Sequence, residues 1–197
     1  MIKVYVLHGA GAGHSGDFLN VFDQQLTQCL AVFGEVEVIP FTLDYMAEMD
    51  LGGKRRPPPN INKLIEEARD KIPKQEPIIL IGKSMGSRII AELCATHQVK
   101  ACVALGYPFY PPKKPEKDRL YHLKHSKNVP FHIIQGTRDG LGNRDWVEQQ
   151  QLLPNINLHW FEGADHDFKL LKRYNMSQEE VIETLVKQTV SCIQSSI

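Results

Sequence analysis

The sequence lacks an excess of charge of either sign. Its 23 Lys and Arg residues balance 23 Asp and Glu residues, so the formal net charge at neutral pH is zero. Proteins that bind nucleic acids or anionic membrane surfaces usually carry a basic excess. We therefore expect neither a nucleic acid nor a membrane among the partners of this chain.

Long hydrophobic runs are also missing. No segment approaches the roughly 20 apolar residues that are needed to span a bilayer. The N-terminal stretch MIKVYVLHGAG is too short in its apolar part for a signal peptide. From these absences we expect a cytoplasmic protein. The length of 197 residues predicts a single domain over residues 1–197, because a second substantial core would not fit.

Cysteine is scarce and scattered along the chain. Cys29, Cys94, Cys102 and Cys192 form no CxxC motif and show no Cys/His spacing typical of a metal site. Three of the four lie in apolar neighbourhoods, which favours buried free thiols over disulfides or metal ligands. We accordingly expect no metal, and the chemistry described below requires no cofactor.

Short runs rich in β-branched residues alternate with amphipathic segments of helical length. The predicted strands are 2–7, 36–39, 77–81, 101–105, 130–135 and 156–161. The predicted helices are 17–33, 60–71, 87–96, 144–152 and 177–192, the last with Ser177 as its N-cap. Two proline-containing stretches, 43–59 and 106–128, are predicted as irregular loops. The alternation predicts an α/β fold with a mainly parallel six-stranded sheet and helices on both faces.

One motif joins a predicted strand directly to a predicted helix. Residues 82–86 read GKSMG, a G-x-S-x-G pattern between the apolar run PIILI and the helix SRIIAELCATH. In this pattern a sharp turn holds the serine hydroxyl toward the substrate, and the glycines let the strand and helix approach closely. The helix N-terminus also favours developing negative charge. We predict that Ser84 is a nucleophile.

A serine hydroxyl needs an adjacent base to become nucleophilic. Asp139 and His166 each follow a later predicted strand, and the carboxyl ends of parallel strands form the usual ligand site. The order Ser, Asp, His is that of α/β-hydrolases. We predict His166 as the base and Asp139 as the acid that orients it, although Asp139-Gly140 also fits a simple turn. The alternative acids are Asp145, Asp165 and Glu162.

The loop after the first predicted strand is rich in glycine and reads HGAGAGHSG at residues 8–16. Backbone N–H groups of Ala10 or Gly11, together with Met85, are predicted to form an oxyanion hole. From Gly11 to Gly16 the loop also fits GxGxxG, which could hold a dinucleotide pyrophosphate. Three residues separate the strand from that first glycine, and the next predicted strand ends without a ribose-binding acid. The dinucleotide interpretation is therefore the weaker one.

Six motifs recur in a known family in the same order. They are HGAGAG at 8–13, KRRPP at 54–58, GKSMGSR at 82–88, GYPFYPPKKPEK at 106–117, QGTRDGLG at 135–142 and DHDF at 165–168. In these motifs the chain resembles a family of small α/β-hydrolases. That family includes testis-expressed protein thirty, its bacterial relatives and the hydrolase-like region of the third subunit of the NSL acetyltransferase complex. The resemblance implies a compact α/β-hydrolase fold with a minimal lid, and it places Ser84, Asp139 and His166 at the triad positions. HSGD at 14–17 departs from the family pattern.

Several residues outside the predicted triad could shape a substrate site. Arg55 and Arg56 could bind an anionic group through bidentate hydrogen bonds, or they could form a solvated basic loop. Gly11 could contact substrate, and Tyr107 could line the pocket or attach its loop to the surface. Stretch 106–128 is short compared with the lids of many α/β-hydrolases. We therefore expect an open, shallow site that favours small or exposed acyl groups.

These features predict a serine hydrolase of the carboxylesterase or thioesterase type, acting on a small-molecule acyl substrate. His166 would take the Ser84 proton during attack on a carbonyl, and water would then hydrolyse the acyl-enzyme. The alternative function is a non-catalytic interaction or scaffold module that retains the same fold.

Overall fold

The structure is a computed structural model that describes residues 2–52 and 54–196. In this part of the chain one six-stranded sheet has the order β2-β1-β3-β4-β5-β6. Every neighbouring pair of strands is parallel. The strands are β1 (Ile2–Leu7), β2 (Val36–Phe41), β3 (Ile78–Lys83), β4 (Val99–Leu105), β5 (Phe131–Gly136) and β6 (Ile156–Phe161). The predicted sheet is therefore confirmed, and it is wholly parallel.

Helices cover both faces of the sheet. They are α1 (Asp17–Leu30), α2 (Asp44–Asp50), α3 (Ile61–Lys71), α4 (Met85–Leu93), α5 (Arg144–Val147) and α6 (Gln178–Gln194). Val4 and Val6 face the layer formed by α1 and α6, whereas Tyr5 and Leu7 face the layer that contains α3 and α4. This alternation arises because successive side chains of a strand point to opposite faces. The α/β-hydrolase fold predicted from the sequence is confirmed.

Burial separates the central strands from the edge strands. Every residue of β3 and β5 is buried, as expected for strands covered on both faces. β2 is an edge strand that pairs with β1 alone. It runs two residues beyond the predicted segment 36–39 and includes Pro40. Proline is tolerated there because an edge strand has one side without ladder hydrogen bonds.

The first proline-rich stretch, predicted as irregular over 43–59, begins with a short helix. α2 occupies Asp44–Asp50, with Tyr45 and Met46 buried against the core. The prolines all come later, so they do not prevent this helix; Gly53 of the same stretch lies outside the described residues. The prediction of an irregular loop over 43–59 is therefore wrong for residues 44–50.

The second proline-rich stretch, 106–128, packs against α4 and does not form an extended lid. Its second half contains a 3-10 helix over Leu120–Ser126. His122 lies 2.9 Å from the Arg88 guanidinium and 2.5 Å from the Glu92 carboxylate. Burial lowers the pKa of His122 to about 4, so the imidazole is neutral at physiological pH. The stretch is therefore fixed to the body of the fold.

Two further expectations concern membranes and thiols. Among the described residues, no helix combines the length and apolar character that crossing a bilayer requires. The cysteines are free thiols, with Cys102 and Cys192 buried. The Sγ atoms of Cys94 and Cys102 lie 3.4 Å apart without a bond between them.

Candidate active site

The GKSMG motif forms a strained turn between β3 and α4. Ser84 has φ 51° and ψ −111°, a conformation that residues other than glycine rarely adopt. A Cβ atom on Gly82 would lie 2.5 Å from the Gly86 carbonyl carbon, and one on Gly86 would lie 2.5 Å from the Leu7 oxygen. Only glycine therefore fits at these two positions. The turn has the geometry that the sequence motif predicts.

Ser84, His166 and Asp139 form one continuous line of contacts. The Ser84 Oγ atom lies 2.7 Å from His166 Nε2, and His166 Nδ1 lies 2.8 Å from Asp139 Oδ2. Asp139 is fully buried, whereas Ser84 and His166 are half-buried. These are hydrogen-bond distances for a hydroxyl, an imidazole and a carboxylate. The structure thus brings together the residues that the sequence analysis selected.

Further donors hold the Asp139 carboxylate in place. Gln135 Nε2 donates to Oδ2 at 2.9 Å, and the Leu141 N–H donates to Oδ1 at 2.7 Å. Gln135 also donates to the Tyr107 carbonyl at 3.2 Å and to the Gly142 carbonyl at 3.0 Å. Sequence reasoning missed Gln135, although a buried amide inside the apolar strand FHIIQG is a visible signal. A carboxylate with this many donors is fixed in one orientation.

The alternative acids have other partners. Asp165 Oδ1 accepts a hydrogen bond from the Lys169 N–H at 2.9 Å within a turn. Glu162 forms an ion pair with Arg144 at 3.1 Å. Asp145 lies in the first turn of α5, where an acidic residue interacts favourably with the helix dipole. Of the acids considered, only Asp139 contacts the His166 ring.

A buried lysine next to the serine connects the strained turn to the His166 loop. The Lys83 Nζ atom donates to the His166 carbonyl oxygen at 2.8 Å. It also lies 5.5 Å from the centroid of the Phe168 ring and 5.9 Å from that of Phe18. Burial lowers the pKa of Lys83 below its usual value. The sequence analysis did not select Lys83, although a charge at the end of an apolar strand marks it.

A buried histidine fixes the start of the glycine loop. His8 Nδ1 lies 2.6 Å from the Gly9 carbonyl oxygen, and the Leu43 N–H donates to His8 Nε2 at 3.1 Å. Since Nε2 accepts a hydrogen bond, the ring proton is on Nδ1, which donates to Gly9. Burial lowers the pKa of His8 to about 4, which keeps the ring neutral near neutral pH.

The carbonyl groups of the glycine loop are also held by Tyr45. Its hydroxyl donates to the Gly9 oxygen at 3.4 Å and to the Ala10 oxygen at 3.3 Å. Burial raises the pKa of Tyr45 to about 12, so the hydroxyl keeps its proton. In a trans peptide the N–H points opposite to the carbonyl. The N–H groups of Ala10 and Gly11 therefore point away from Tyr45.

A cavity of about 1250 Å³ lies beside Ser84 and His166. One wall is the glycine loop, including Ala10 and Gly11. The apolar part of the lining comes from α1, α6 and the segment before α6: Phe18, Leu19, Val21, Leu170, Met176, Val181 and Ile182. This site is larger than the shallow one expected from the short stretch 106–128. The expectation took only stretch 106–128 into account, whereas the apolar wall of the cavity is formed by α1 and α6, near the two ends of the described chain.

A second cavity of about 360 Å³ also borders the glycine loop. Its lining consists of Ala10, Gly11, Met49, Arg55, Arg56 and Pro57. Arg56 is hydrogen-bonded to Glu48, and both arginines are exposed. The predicted basic loop therefore lies next to the predicted oxyanion-hole residues.

Tyr107 does not line either cavity. Its ring is fully buried in the core, 4.9 Å from the ring centroid of Phe109. Its hydroxyl donates to the Arg119 carbonyl at 2.9 Å. The expectation that the Tyr107 side chain contacts substrate is therefore wrong. The apolar sequence around it packs the 106–128 stretch onto the fold, which is the second possibility that the sequence left open.

Several solved structures share this fold. A dienelactone hydrolase from Anabaena variabilis has a TM-score of 0.63 at 17% identity, covering 100% of this chain and 87% of that chain. A structure from a study of carboxylesterases of Nitrososphaera gargenis has a TM-score of 0.62 at 15% identity, covering 100% and 92%. A lidless a/b serine hydrolase from Xanthomonas campestris has a TM-score of 0.54 at 13% identity, covering 98% and 81%. At these identities the likeness shows the fold alone.

The sequence itself identifies the family. No curated protein sequence gives a significant match to the chain. A family model described as "Alpha/beta hydrolase domain" matches residues 2–194, which is nearly the whole chain. The chain therefore belongs to the alpha/beta hydrolase domain family.

Proposed function

We propose that this chain is a serine hydrolase that cleaves an ester or thioester through an acyl-serine intermediate. The observation that carries the proposal is the line of contacts from Ser84 through His166 to the buried Asp139, at 2.7 Å and 2.8 Å. Hydroxyl, imidazole and carboxylate in this order are the groups that acyl transfer by a serine requires.

The proposed reaction begins at the Ser84 hydroxyl. His166 Nε2 accepts its proton while Oγ attacks the carbonyl carbon of the substrate, and the same nitrogen then returns the proton to the leaving group. Asp139 keeps the other ring proton on Nδ1 and stabilises the imidazolium. Water attacks the acyl-serine in the second half, with His166 again accepting a proton. The cycle needs no metal and no cofactor.

Negative charge that develops on the substrate oxygen needs fixed donors. We propose that the N–H groups of Ala10 and Met85 supply them. Met85 opens α4, where the first N–H groups of a helix have no acceptor within the helix. The Ala10 N–H belongs to the peptide whose carbonyl is held by His8 and Tyr45. A donor fixed before substrate binds does not have to reorganise during the reaction.

We propose that the substrate is a small-molecule ester or thioester whose acyl group is small, or exposed enough to reach Ser84 directly. The proposed range of substrates includes acyl groups with a modest hydrocarbon chain, because the cavity of about 1250 Å³ has apolar walls from α1 and α6. The names of the structural neighbours, a dienelactone hydrolase and carboxylesterases, agree with an ester substrate. The lidless neighbour also favours direct access.

We further propose that the chain belongs with the small α/β-hydrolases related to testis-expressed protein thirty and the third NSL subunit. The support is the shared motif order, above all GKSMGSR at 82–88 and QGTRDGLG at 135–142. A single domain over residues 1–197 and a cytoplasmic location are part of the same proposal. The family resemblance also supports the second candidate, an interaction module without catalysis.

A fluorophosphonate probe distinguishes the two candidates, because it reacts covalently with an activated serine. We expect the wild-type protein to be labelled and Ser84→Ala to be unlabelled. Ser15→Ala is a matched control, since Ser15 is exposed and hydrogen-bonded to Asp50; it should be labelled like wild type. Labelling is read by in-gel fluorescence after confirming the fold by circular dichroism. A folded wild-type protein that is not labelled would favour the interaction module.

Hydrolysis of p-nitrophenyl esters of increasing chain length tests the substrate proposal. We expect kcat/KM to be highest for short to medium acyl chains. Val21 is half-buried on α1 and lines the cavity. Val21→Trp should therefore reduce kcat/KM for medium-chain esters at least about tenfold more than kcat/KM for the acetate ester. The reason is that a group that does not fit an apolar pocket lowers kcat/KM by about this factor. A preference for chains beyond about a dozen carbons would contradict the proposal.

A further inference from the structure

A second cluster of reactive side chains lies away from the serine. It consists of His132 on β5, His159 on β6 and Cys192 on α6, with one nitrogen or sulfur of each within 4.8 Å of the others. His132 Nδ1 lies 3.0 Å from His159 Nε2. The Cys192 Sγ atom lies 3.6 Å from the same His159 nitrogen. We name these residues the His2Cys cluster.

The fold brings the cluster together through strand register. Ile134 of β5 pairs with His159 of β6, so His132 lies two residues earlier on the same face of the sheet. The two imidazole rings are nearly parallel, at an interplanar angle of 22°. α6 packs on this face and carries Cys192 to the pair. His132 and Cys192 are buried, whereas His159 is half-buried and gives access from solvent.

Two of the three separations within the cluster are close to those between the ligands of a tetrahedral zinc ion, and the third, between His132 and Cys192, lies within 4.8 Å. Zinc lies about 2.0–2.1 Å from histidine nitrogens and about 2.3 Å from a cysteine sulfur, which places two nitrogens about 3.3 Å apart and a nitrogen and sulfur about 3.6 Å apart. The cluster shows 3.0 Å and 3.6 Å for these two separations. We propose that His132, His159 and Cys192 bind one zinc ion, a site separate from the hydrolase machinery.

Hydrogen bonds around the cluster orient His132 for this role. His132 Nε2 lies 2.8 Å from the Ser196 hydroxyl, and that hydroxyl donates to the Cys192 carbonyl at 2.8 Å. The Ser196 oxygen can therefore accept the Nε2 proton, which leaves a lone pair on His132 Nδ1. Histidines that bind metals usually donate their other ring N–H in this way.

Zinc binding displaces two protons. The proton that His159 Nε2 shares with His132 Nδ1 moves to His159 Nδ1 by exchange with solvent, which keeps the His159 ring neutral. The Cys192 thiol releases its proton to solvent, and the thiolate binds the metal. The two imidazoles bind as neutral rings, His132 through Nδ1 and His159 through Nε2. Sites with three protein ligands complete the tetrahedron with water or another small ligand. No electron transfer is involved.

The His2Cys cluster lies at the opposite end of α6 from the cavity that contains Ser84. Ile182, near the start of this helix, borders the large cavity. Cys192 comes about ten residues later, which corresponds to about 15 Å along the helix axis. A zinc ion in the cluster would join the end of α6 to β5 and β6. Binding at this site does not depend on the proposed hydrolase function.

Competition with a chromophoric chelator measures zinc binding by the metal-stripped protein. We expect one equivalent to bind to wild type. Ser196→Ala should weaken binding about tenfold, and His159→Asn should weaken it further because a ligand is lost. Cys94→Ser is the matched control, since its thiol lies beside another thiol, that of Cys102; its affinity should equal that of wild type. His159 is half-buried on an edge strand, so its replacement should leave the fold intact.

Cobalt(II) in place of zinc reports the ligand set directly. Wild type should show the charge-transfer absorption of a cobalt–thiolate bond, and Cys192→Ser should lack it. Three results would each overturn the zinc site: no stoichiometric binding by wild type, equal affinity in His159→Asn, or cobalt binding without the thiolate band. Fluorophosphonate labelling of the same samples reports Ser84 separately, so the zinc site and the hydrolase proposal succeed or fail independently.

Discussion

Ser84→Ala is expected to lower kcat for p-nitrophenyl acetate by about a millionfold, and His166→Ala should cause a similar loss. The double variant should be no slower than either single variant. The reason is that attack and proton transfer form one event across the 2.7 Å contact between Ser84 Oγ and His166 Nε2. Removing either group removes the event. The variants should still hydrolyse the ester about 10³–10⁴-fold faster than the uncatalysed reaction in water, because substrate binding and the oxyanion hole remain.

Steady-state kinetics on the two single variants and the double variant provide the measurement. The matched control is His125→Ala, because His125 is exposed beside Glu92 and away from both cavities; kcat should be unchanged. Losses that multiply in the double variant would mean that Ser84 and His166 act independently. In that case the proposed proton transfer between them would be wrong.

Asp139→Asn is expected to lower kcat by about 10⁴-fold while the protein stays folded. The substitution keeps the shape of the side chain and removes its charge, so the imidazolium that forms on His166 loses its stabilising partner. An amide nitrogen in place of Oδ2 would also face the donors Gln135 Nε2 and His166 Nδ1. Relief of that clash would move the ring proton to Nε2, where His166 can no longer accept the serine proton.

The alternative acids supply the comparison for Asp139. Asp145→Asn and Asp165→Asn are equally conservative changes in residues that do not contact the ring, and both should retain wild-type kcat. Purified variants are assayed with the same ester, and thermal melting confirms that each is folded. If Asp145→Asn lost more activity than Asp139→Asn, the acid of the triad would have been assigned to the wrong residue.

The sequence predicted the sheet well because each strand is a local apolar run. The strands 2–7 and 156–161 were predicted with the bounds that the structure has. The helix predicted over 177–192 has Ser177 as its N-cap, with a capping box that includes Glu180. The GKSMG turn was equally predictable from its motif, although only Gly82 is required by contacts within or next to the motif, whereas Gly86 is required by the distant Leu7.

Other parts depend on contacts between distant segments and could not be predicted locally. α2 forms in a stretch predicted as irregular because Tyr45 and Met46 find a core to pack against. Lys83 and Gln135 are visible in the sequence as polar residues in apolar strands, but the pattern does not show that they bond to the His166 carbonyl and to Asp139. Helix 144–152 was predicted too long, since α5 ends at Val147.

The cavity and the His2Cys cluster were missed for the same reason. The sequence search considered cysteine and histidine spacings typical of short zinc motifs, whereas His132, His159 and Cys192 come from three separate elements. The size of the substrate site was judged from stretch 106–128 alone. Its apolar wall comes from α1 and α6, which are adjacent in space and far apart in the chain.

The contact between Gly86 and the end of β1 links the strained turn to a distant part of the chain. A Cβ on Gly86 would meet the Leu7 oxygen, so the backbones of the GKSMG turn and the first strand touch directly. A peptide carrying GKSMG alone has nothing to hold Ser84 at positive φ, and the strain would relax. The turn at Ser84 therefore depends on β1 being in its place between β2 and β3. The positive φ of Ser84 is thus a property of the assembled sheet and not of the GKSMG segment alone.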